Sequence, residues 1–281
     1  MLSSSHLREE YLRKKRNKKL VRYSVVFLAL VFLALLTSYL AHRPSLRISK
    51  VELNGGVLVT QSDVSRESLN FLSGSYFWLF PKNNALWYPH SSLMNFLEDS
   101  FKRIDTIDIH LKGLKTLVVD ITERKPVALW CDTLPPEPSS RCYFMDSNAT
   151  LFAEAPLFSG DAYFKYYGLV SADMPIGKEY IASSTKFIEL SDFIKTAKNL
   201  GLQPVYLVAK GDGLPAEARE FSLVLENGGQ IYFDMKEPLT TASQNLEALL
   251  RTPALSSISP DKLPIDYIDL RYGNKLFYKL K

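Results

Sequence analysis

The hydrophobic pattern begins with an uninterrupted apolar segment near the start of the chain. Residues 23–41 contain no charged side chain, and as an α-helix this segment is about 28 Å long, close to the ~30 Å hydrocarbon thickness of a bilayer. A cleaved signal peptide has a shorter apolar region with a small-x-small site, whereas cleavage after Ala41 places Tyr39 where a small residue belongs. The pattern therefore predicts one membrane-spanning helix that is retained.

Beyond this segment the pattern alternates between the periods of strands and helices. A short strand with alternating apolar residues ends at an Asn-Gly-Gly turn. A helix is predicted to begin at Thr60, because Asp63 follows at the spacing of an N-terminal capping box. A second helix is predicted to begin near residue 91, with Ser91 or Ser92 as its cap, because large apolar residues then recur every three or four positions.

Two alternating segments complete the first domain, at residues 103–113 and 114–124. They predict an antiparallel hairpin with one solvent-facing side. The order strand, helix, helix, strand, strand predicts an α+β domain over residues 45–124, in which a three-stranded sheet carries two helices on one side.

The stretch between these two helices, residues 75–89, is rich in aromatic residues. Trp78 and Trp87 suit the interface of a membrane, where amphipathic rings accumulate. Apolar rings are more often buried, however. We therefore expect this stretch to close the core between the helices.

A second domain, mixed and β-rich with helices, is predicted over residues 125–281. Helices are expected at 185–200 and 238–251, and Asn227-Gly228 is typical of a tight hairpin turn. Asn148 begins an Asn-x-Thr sequence, which fits either a glycosylation acceptor or a turn.

The two cysteines, Cys131 and Cys142, bracket a loop rich in Pro and Ser. Outside the cytoplasm such a pair is expected to oxidise to a disulfide. A pair of zinc ligands is the more specific alternative, although no second Cys or His pair lies nearby. Free thiols are a third possibility. We predict the disulfide.

The charge of the chain is concentrated at its start. The net charge is +4, but residues 1–22 carry eight Lys or Arg against two Glu, which gives +6 for this tail and −2 for the remainder. A general nucleic-acid-binding surface is therefore not expected. The positive-inside rule places this tail in the cytoplasm and everything after about residue 42 outside.

Side chains that could support catalysis are sparse. No metalloprotease, nucleophile-elbow or phosphate-loop motif occurs. His110 alternates with apolar neighbours and should face solvent, and Asp105 and Asp108 should project to opposite faces of a strand. No catalytic residue, cofactor site or metal site is predicted.

The segment DITERKPVALW, residues 120–130, contains a cluster of three charges. Pro126 cannot donate a ladder hydrogen bond, so one strand should end near Glu123 and the next should begin after the proline. We interpret the charges as a solvated corner between two domains, where Glu123 and Arg124 are available to join them.

Several of these segments together resemble the FtsQ/DivIB family of bacterial cell-division proteins. They are the basic tail, the single span, "ISKVELNGG", the capped helix after "VTQSDV", "LVVDITERKPVALW" and the terminal "YIDLRYGNK". The resemblance implies that the first domain is a POTRA domain and that Glu123, Arg124, Pro126 and Trp130 mark the exit into a β domain.

The resemblance also implies partners. In that family the last strands bind small single-pass division proteins, FtsB or DivIC, which are paired with FtsL, and the POTRA domain contacts other membrane division proteins. By resemblance the partner-binding residues are Arg271, Tyr272, Leu276, Phe277 and Tyr278, at the division septum. A free sheet edge that accepts a strand gives this role a physical basis.

Other interpretations remain open on the sequence alone. Tyr272 could pack inward with Ile268 and Leu270, which share its alternation. The terminal lysines could serve only to protect an edge from aggregation. A membrane-anchored envelope enzyme or glycan-binding protein could use residues 76–88 as a sugar groove. A POTRA-bearing transport component is less expected, because the long series of barrel strands is missing.

Overall fold

The structure, a computed structural model, describes residues 4–134, 140–156, 162–170, 173–210, 220–273 and 275–281, with only the backbone for 4–12 and 14. The chain has a mixed α+β fold and divides into two compact units, Met1–Glu123 and Arg124–Lys281. The sequence predicted a boundary one residue later, after residue 124.

The first unit begins with a long helix and continues into a three-stranded sheet. Its elements, in chain order, are α1 (Ser4–Ala41), β1 (Lys50–Asn54), α2 (Gln61–Phe71), β2 (Ser75–Tyr76), β3 (Phe80–Pro81), α3 (His90–Ser100), β4 (Ile104–Lys112) and β5 (Thr116–Glu123). The sheet order is β1-β5-β4, with β1 parallel and β4 antiparallel to β5. The predicted order of strands and helices is present, and the hairpin of β2 and β3 is an addition to it.

Helix α1 includes the whole predicted span and continues back through the basic tail. Its part Lys15–Ala41 is long and apolar enough to cross a membrane, and almost all of it is exposed. An apolar surface on all sides of a helix is unfavourable in water. A helix of this kind is suited to an apolar environment such as a membrane.

The two short helices start in different ways. Thr60 caps α2 as predicted, because its side chain accepts a hydrogen bond from the backbone N–H of Asp63. The predicted caps of α3, Ser91 and Ser92, are wrong, because the helix begins at His90 after Pro89 and has no side-chain cap. Instead, His90 Nε2 lies 3.0 Å from the carbonyl oxygen of Ile109, which fixes the first turn of α3 against β4.

The expectation that the aromatic stretch is buried is wrong at its centre. Phe77 is 88% exposed and Trp78 is 93% exposed, at the tip of the β2–β3 hairpin. The core between α2, α3 and the sheet is filled by aliphatic residues instead, among them Leu93, Leu97 and Leu117. Since these side chains already close the core, the rings at the tip are left outside it.

The second unit contains one nine-stranded sheet. Its elements are β6 (Ala128–Cys131), β7 (Cys142–Met145), β8 (Leu151–Glu154), β9 (Lys165–Tyr167), α4 (Ser184–Asn199), β10 (Pro204–Lys210), β11 (Glu220–Leu225), β12 (Gln230–Phe233), α5 (Leu239–Leu250), β13 (Ile265–Tyr272) and β14 (Lys275–Leu280). The strand order is β14-β13-β12-β11-β10-β9-β6-β7-β8. Neighbours are antiparallel except β9 with β6 and β10, and β12 with β13.

Both predicted helices of this unit are confirmed within one residue or two, and they pack against each other.

Strand residues alternate between two clusters. Ala128 and Trp130 contribute to the large core that includes α4 and α5, whereas Leu129 and Cys131 contribute to a smaller cluster. A strand with period two supplies both faces in this way.

Candidate functional site at the carboxy-terminal sheet edge

The two ends of the nine-stranded sheet differ in how far they are covered. At one end, the backbone of Leu151 in β8 exchanges hydrogen bonds with Gly177 and Lys178, and Thr150 forms an isolated bridge with Glu179. At the other end, β14 pairs only with β13 among the residues that the structure describes. Within the described part of the chain, the edge at β14 is therefore the open one, and its outward N–H and C=O groups are available to another chain.

A β-bulge between Asp269 and Tyr272 decides where Tyr272 points. Ile268 and Leu270 are buried, whereas Tyr272 is 56% exposed. A bulge inserts an extra residue, so the side-chain alternation changes beyond it. The inward placement of Tyr272, open on the sequence alone, is therefore wrong, because the bulge separates this ring from the alternation of its strand.

The predicted partner-binding residues divide into an exposed group and a half-buried one. Tyr272, Phe277 and Tyr278 are exposed, and the rings of Tyr272 and Phe277 meet edge to face with centroids 5.3 Å apart. Leu276 is half-buried against the core. The edge thus presents three large rings, and Leu276 holds β14 in place beneath them.

Arg271 is held by acidic partners inside the same unit. Its Nε and Nη2 atoms donate to the two carboxylate oxygens of Asp269 at 2.8 and 2.6 Å. Its Nη1 donates to Glu220, and its guanidinium lies 5.5 Å from the centroid of the Tyr232 ring. The side chain is therefore fixed before any partner arrives, which reduces the entropy lost on binding.

The titration of this pair reflects the same contacts. Burial disfavours ionisation of Asp269, but the hydrogen bonds and charge of Arg271 outweigh burial and hold the pKa of the carboxyl below its usual value. The hydrogen bonds to Asp269 also raise the pKa of Arg271. Both groups remain charged at neutral pH, and the charge of Arg271 is largely compensated within the unit.

Lysines surround the aromatic edge. Lys279 Nζ donates to Asp266 at 2.8 Å, and Lys281 Nζ donates to the carbonyl oxygen of Asn227 at 2.5 Å. Lys275 is exposed in the turn region of the hairpin. Charged residues on an edge strand discourage random pairing, so protection against aggregation and selective recognition are compatible here.

The charged residues at the boundary of the two units have specific partners. Glu123 Oε1 accepts backbone hydrogen bonds from Val57, Leu58 and Val59 at 2.7, 2.7 and 2.8 Å, within the first unit. These bonds outweigh the effect of burial and hold the pKa of the Glu123 carboxyl below its usual value. The carboxylate thus closes the loop after β1 over the end of β5.

The other boundary residues contribute to the second unit. Arg124 donates to Asp146, which is 4% exposed. Pro126 is half-buried, and the buried Trp130 donates from Nε1 to the carbonyl oxygen of Gly168 at 2.8 Å. The role of Glu123, Arg124, Pro126 and Trp130 in joining the domains stays a prediction.

The cysteines form the predicted disulfide. Cys131 and Cys142 lie opposite each other in β6 and β7, with an S–S distance of 2.03 Å. They flank the loop between these strands. The disulfide therefore fixes the start of the second unit, next to the boundary segment.

One group of possible metal ligands was not expected from the sequence. Asp108, His110 and Asp120 bring ligand atoms within 4.8 Å of one another on the exposed side of β4 and β5. The signal is visible only once the hairpin register is known, since Asp108 and Asp120 are cross-strand partners. His110 Nδ1 lies 3.1 Å from Asp120 Oδ2, so a direct contact between these two side chains accounts for part of this closeness.

Comparison with protein-family models and with curated proteins finds no match to this chain. The function is therefore inferred from the motifs of the sequence and from the geometry of the β14 edge.

Proposed function

We propose that this protein is a membrane-anchored, non-enzymatic scaffold of the bacterial division machinery, of the FtsQ/DivIB type. In this proposal α1 crosses the cell membrane with the basic tail in the cytoplasm, and both compact units are extracytoplasmic at the division septum. The first unit is proposed to be a POTRA domain, which its order of strands and helices and its β1-β5-β4 sheet support. It is the candidate surface for other membrane proteins of the divisome.

The open edge at β14 is the observation that carries the proposal. A partner strand that adds to this edge satisfies the outward backbone groups of β14, and neighbouring side chains then select the partner. The rings of Tyr272, Phe277 and Tyr278 supply that selectivity, because aromatic residues are enriched at protein interfaces and Tyr is enriched among their anchors. The proposed partners are FtsB- or DivIC-like single-pass proteins, paired with an FtsL-like protein.

By holding these partners, the protein is proposed to help regulate septal peptidoglycan synthesis. Arg271 supports the contact by being fixed through Asp269 and Glu220 beside Tyr272.

The rival proposal of a sugar groove at residues 76–88 loses its main support, since Phe77 and Trp78 project from a hairpin tip. Rings that line a groove are covered on at least one side.

Substitution of Tyr272 tests the partner contact. The probe is the extracytoplasmic segment of the FtsB- or DivIC-like protein encoded in the same genome, titrated against the full-length protein in nanodiscs. Tyr272→Ala should weaken binding by about 2 kcal/mol or more, roughly 30-fold in Kd, if the ring is an interface anchor. The matched control is Ile188→Ala, which removes a similarly exposed apolar side chain from α4.

The control should bind as the unchanged protein does. Equal affinity of the folded Tyr272→Ala variant would remove Tyr272 from the interface. Absence of binding by the unchanged protein would contradict the proposed partner class.

A further inference from the structure

The tip of the β2–β3 hairpin combines two unfavourable features. Phe77 and Trp78 are the most exposed aromatic side chains that the structure describes, at 88% and 93%. Both also have positive φ, 48° and 58°, a region that large side chains rarely adopt and that hairpin turns usually fill with Asn or Gly. Backbone strain of this kind collects at functional sites, and the exposed rings cost free energy in water. The exposed rings therefore suit the tip better to an apolar environment than to water.

The hairpin is fixed to the end of the apolar helix. Ser38 Oγ in α1 donates to the carbonyl oxygen of Leu79, directly after the tip, at 2.6 Å. The fully buried Asn84 donates from Nδ2 to the carbonyl oxygen of Ala41, the last residue of α1, at 2.9 Å. Ser38 lies three residues before that end, about 4.5 Å along the helix axis. A membrane that contains residues 23–41 therefore has its outer boundary at the level of the hairpin.

The residues around the tip have the composition of a membrane interface. The Arg43 guanidinium lies 4.9 Å from the centroid of the Tyr39 ring, at the end of α1. Lys82 Nζ lies 5.8 Å from the centroid of the Tyr76 ring, at the base of the hairpin. Rings with a polar end and long cations that can reach lipid phosphates collect at this depth of a bilayer.

We propose that Phe77 and Trp78 insert into the extracytoplasmic leaflet beside α1. The inference rests on the proposed membrane crossing by α1, and the occupant of this surface is lipid because the hairpin is attached to the membrane helix. Interfacial side chains reach about 5–10 Å into the headgroup and acyl boundary. One helix alone leaves the first unit free to turn about the helix axis. The inserted tip is a second attachment point, and it sets which face of the three-stranded sheet is turned towards partners in the membrane.

Spin labels at two matched positions test the insertion. Both native cysteines are in the disulfide, so a cysteine introduced by Phe77→Cys or by Val57→Cys is the one reactive thiol. Val57 is 85% exposed, close to the value for Phe77, but it lies beyond the far end of β1. The full-length labelled proteins are reconstituted into phosphatidylcholine–phosphatidylglycerol vesicles, and collisions with oxygen and with a water-soluble nickel chelate are measured.

The label at position 77 should collide several-fold more with oxygen, relative to nickel, than the label at position 57. Adding Trp78→Ser to the Phe77→Cys protein should lower the ratio of oxygen to nickel collisions for the label at 77, because the tip then lies closer to water. Equal nickel access at the two positions, in protein that resists alkaline extraction, would overturn the insertion and leave the membrane crossing intact. A label at 77 shielded from both reagents would indicate a protein contact and would also overturn it. Protein released by alkaline extraction would contradict the crossing by α1 and the insertion together.

Discussion

The Glu123 carboxylate closes the loop of residues 57–59 over the end of β5, so Glu123→Gln should destabilise the first unit. One oxygen accepts three backbone N–H groups at 2.7–2.8 Å. A hydrogen bond to a charged group contributes roughly 1.5–3 kcal/mol and a neutral one roughly 0.5–1.5 kcal/mol. Because three donors share one oxygen and the site is half-exposed, their contributions do not add fully. We expect a loss of about 1–2 kcal/mol in the free energy of unfolding.

The effect should depend on pH in one direction. The pKa of Glu123 is lowered from its ordinary value of 4.5 in the folded protein, so its contribution is fully present above about pH 4.5 and is lost as the pH falls through the folded pKa. Glutamine does not titrate. The difference in free energy of unfolding between the unchanged protein and Glu123→Gln should therefore be constant near neutral pH and should become smaller in acid.

Hydrogen exchange of the β4 and β5 amides in urea measures this stability, because these amides report on the first unit alone. The experiment uses the full-length protein in detergent. The matched control is Glu98→Gln, which alters an exposed glutamate in α3. Its free energy of unfolding is expected to stay within about 0.5 kcal/mol of that of the unchanged protein. Equal stability of Glu123→Gln and the unchanged protein, or a difference that persists in acid, would refute the role of the carboxylate.

Two further predictions concern the second unit. Replacing Cys131 and Cys142 by Ser should lower its free energy of unfolding by roughly 2–3 kcal/mol in urea, since the closed loop is short; two free thiols in non-reducing mass analysis of the native protein would contradict the disulfide. Asp269→Asn should lower the free energy of unfolding of the second unit by about 2 kcal/mol, because Arg271 is left half-buried with one exposed acidic partner. The pKa of Asp269 is lowered from 3.8. The difference in free energy of unfolding between the unchanged protein and Asp269→Asn should therefore become smaller only below about pH 3.8. Glu220→Gln, which alters the exposed partner, is the control and should cost less; an equal loss in both variants would contradict the dominance of Asp269.

Local patterns in the sequence determined the elements of this protein. The apolar run of residues 23–41 predicted a helix, and Thr60 predicted the start of α2, since both signals lie within a few residues of the structure they specify. The alternation before and after Gly113 predicted the β4–β5 hairpin, and Asn227-Gly228 predicted the turn between β11 and β12.

Only the tertiary structure decided how these elements meet. The nine-stranded order places β9 between β6 and β10, and Glu123 binds amides 64–66 residues away. Such pairings depend on the packing of the whole unit, and no local period encodes them. The tip of residues 77–78 shows the same limit, because composition predicts burial for aromatic rings whereas the available core volume decides it. At the edge, the bulge before Tyr272 altered the alternation that the sequence displays, and so turned the ring outward.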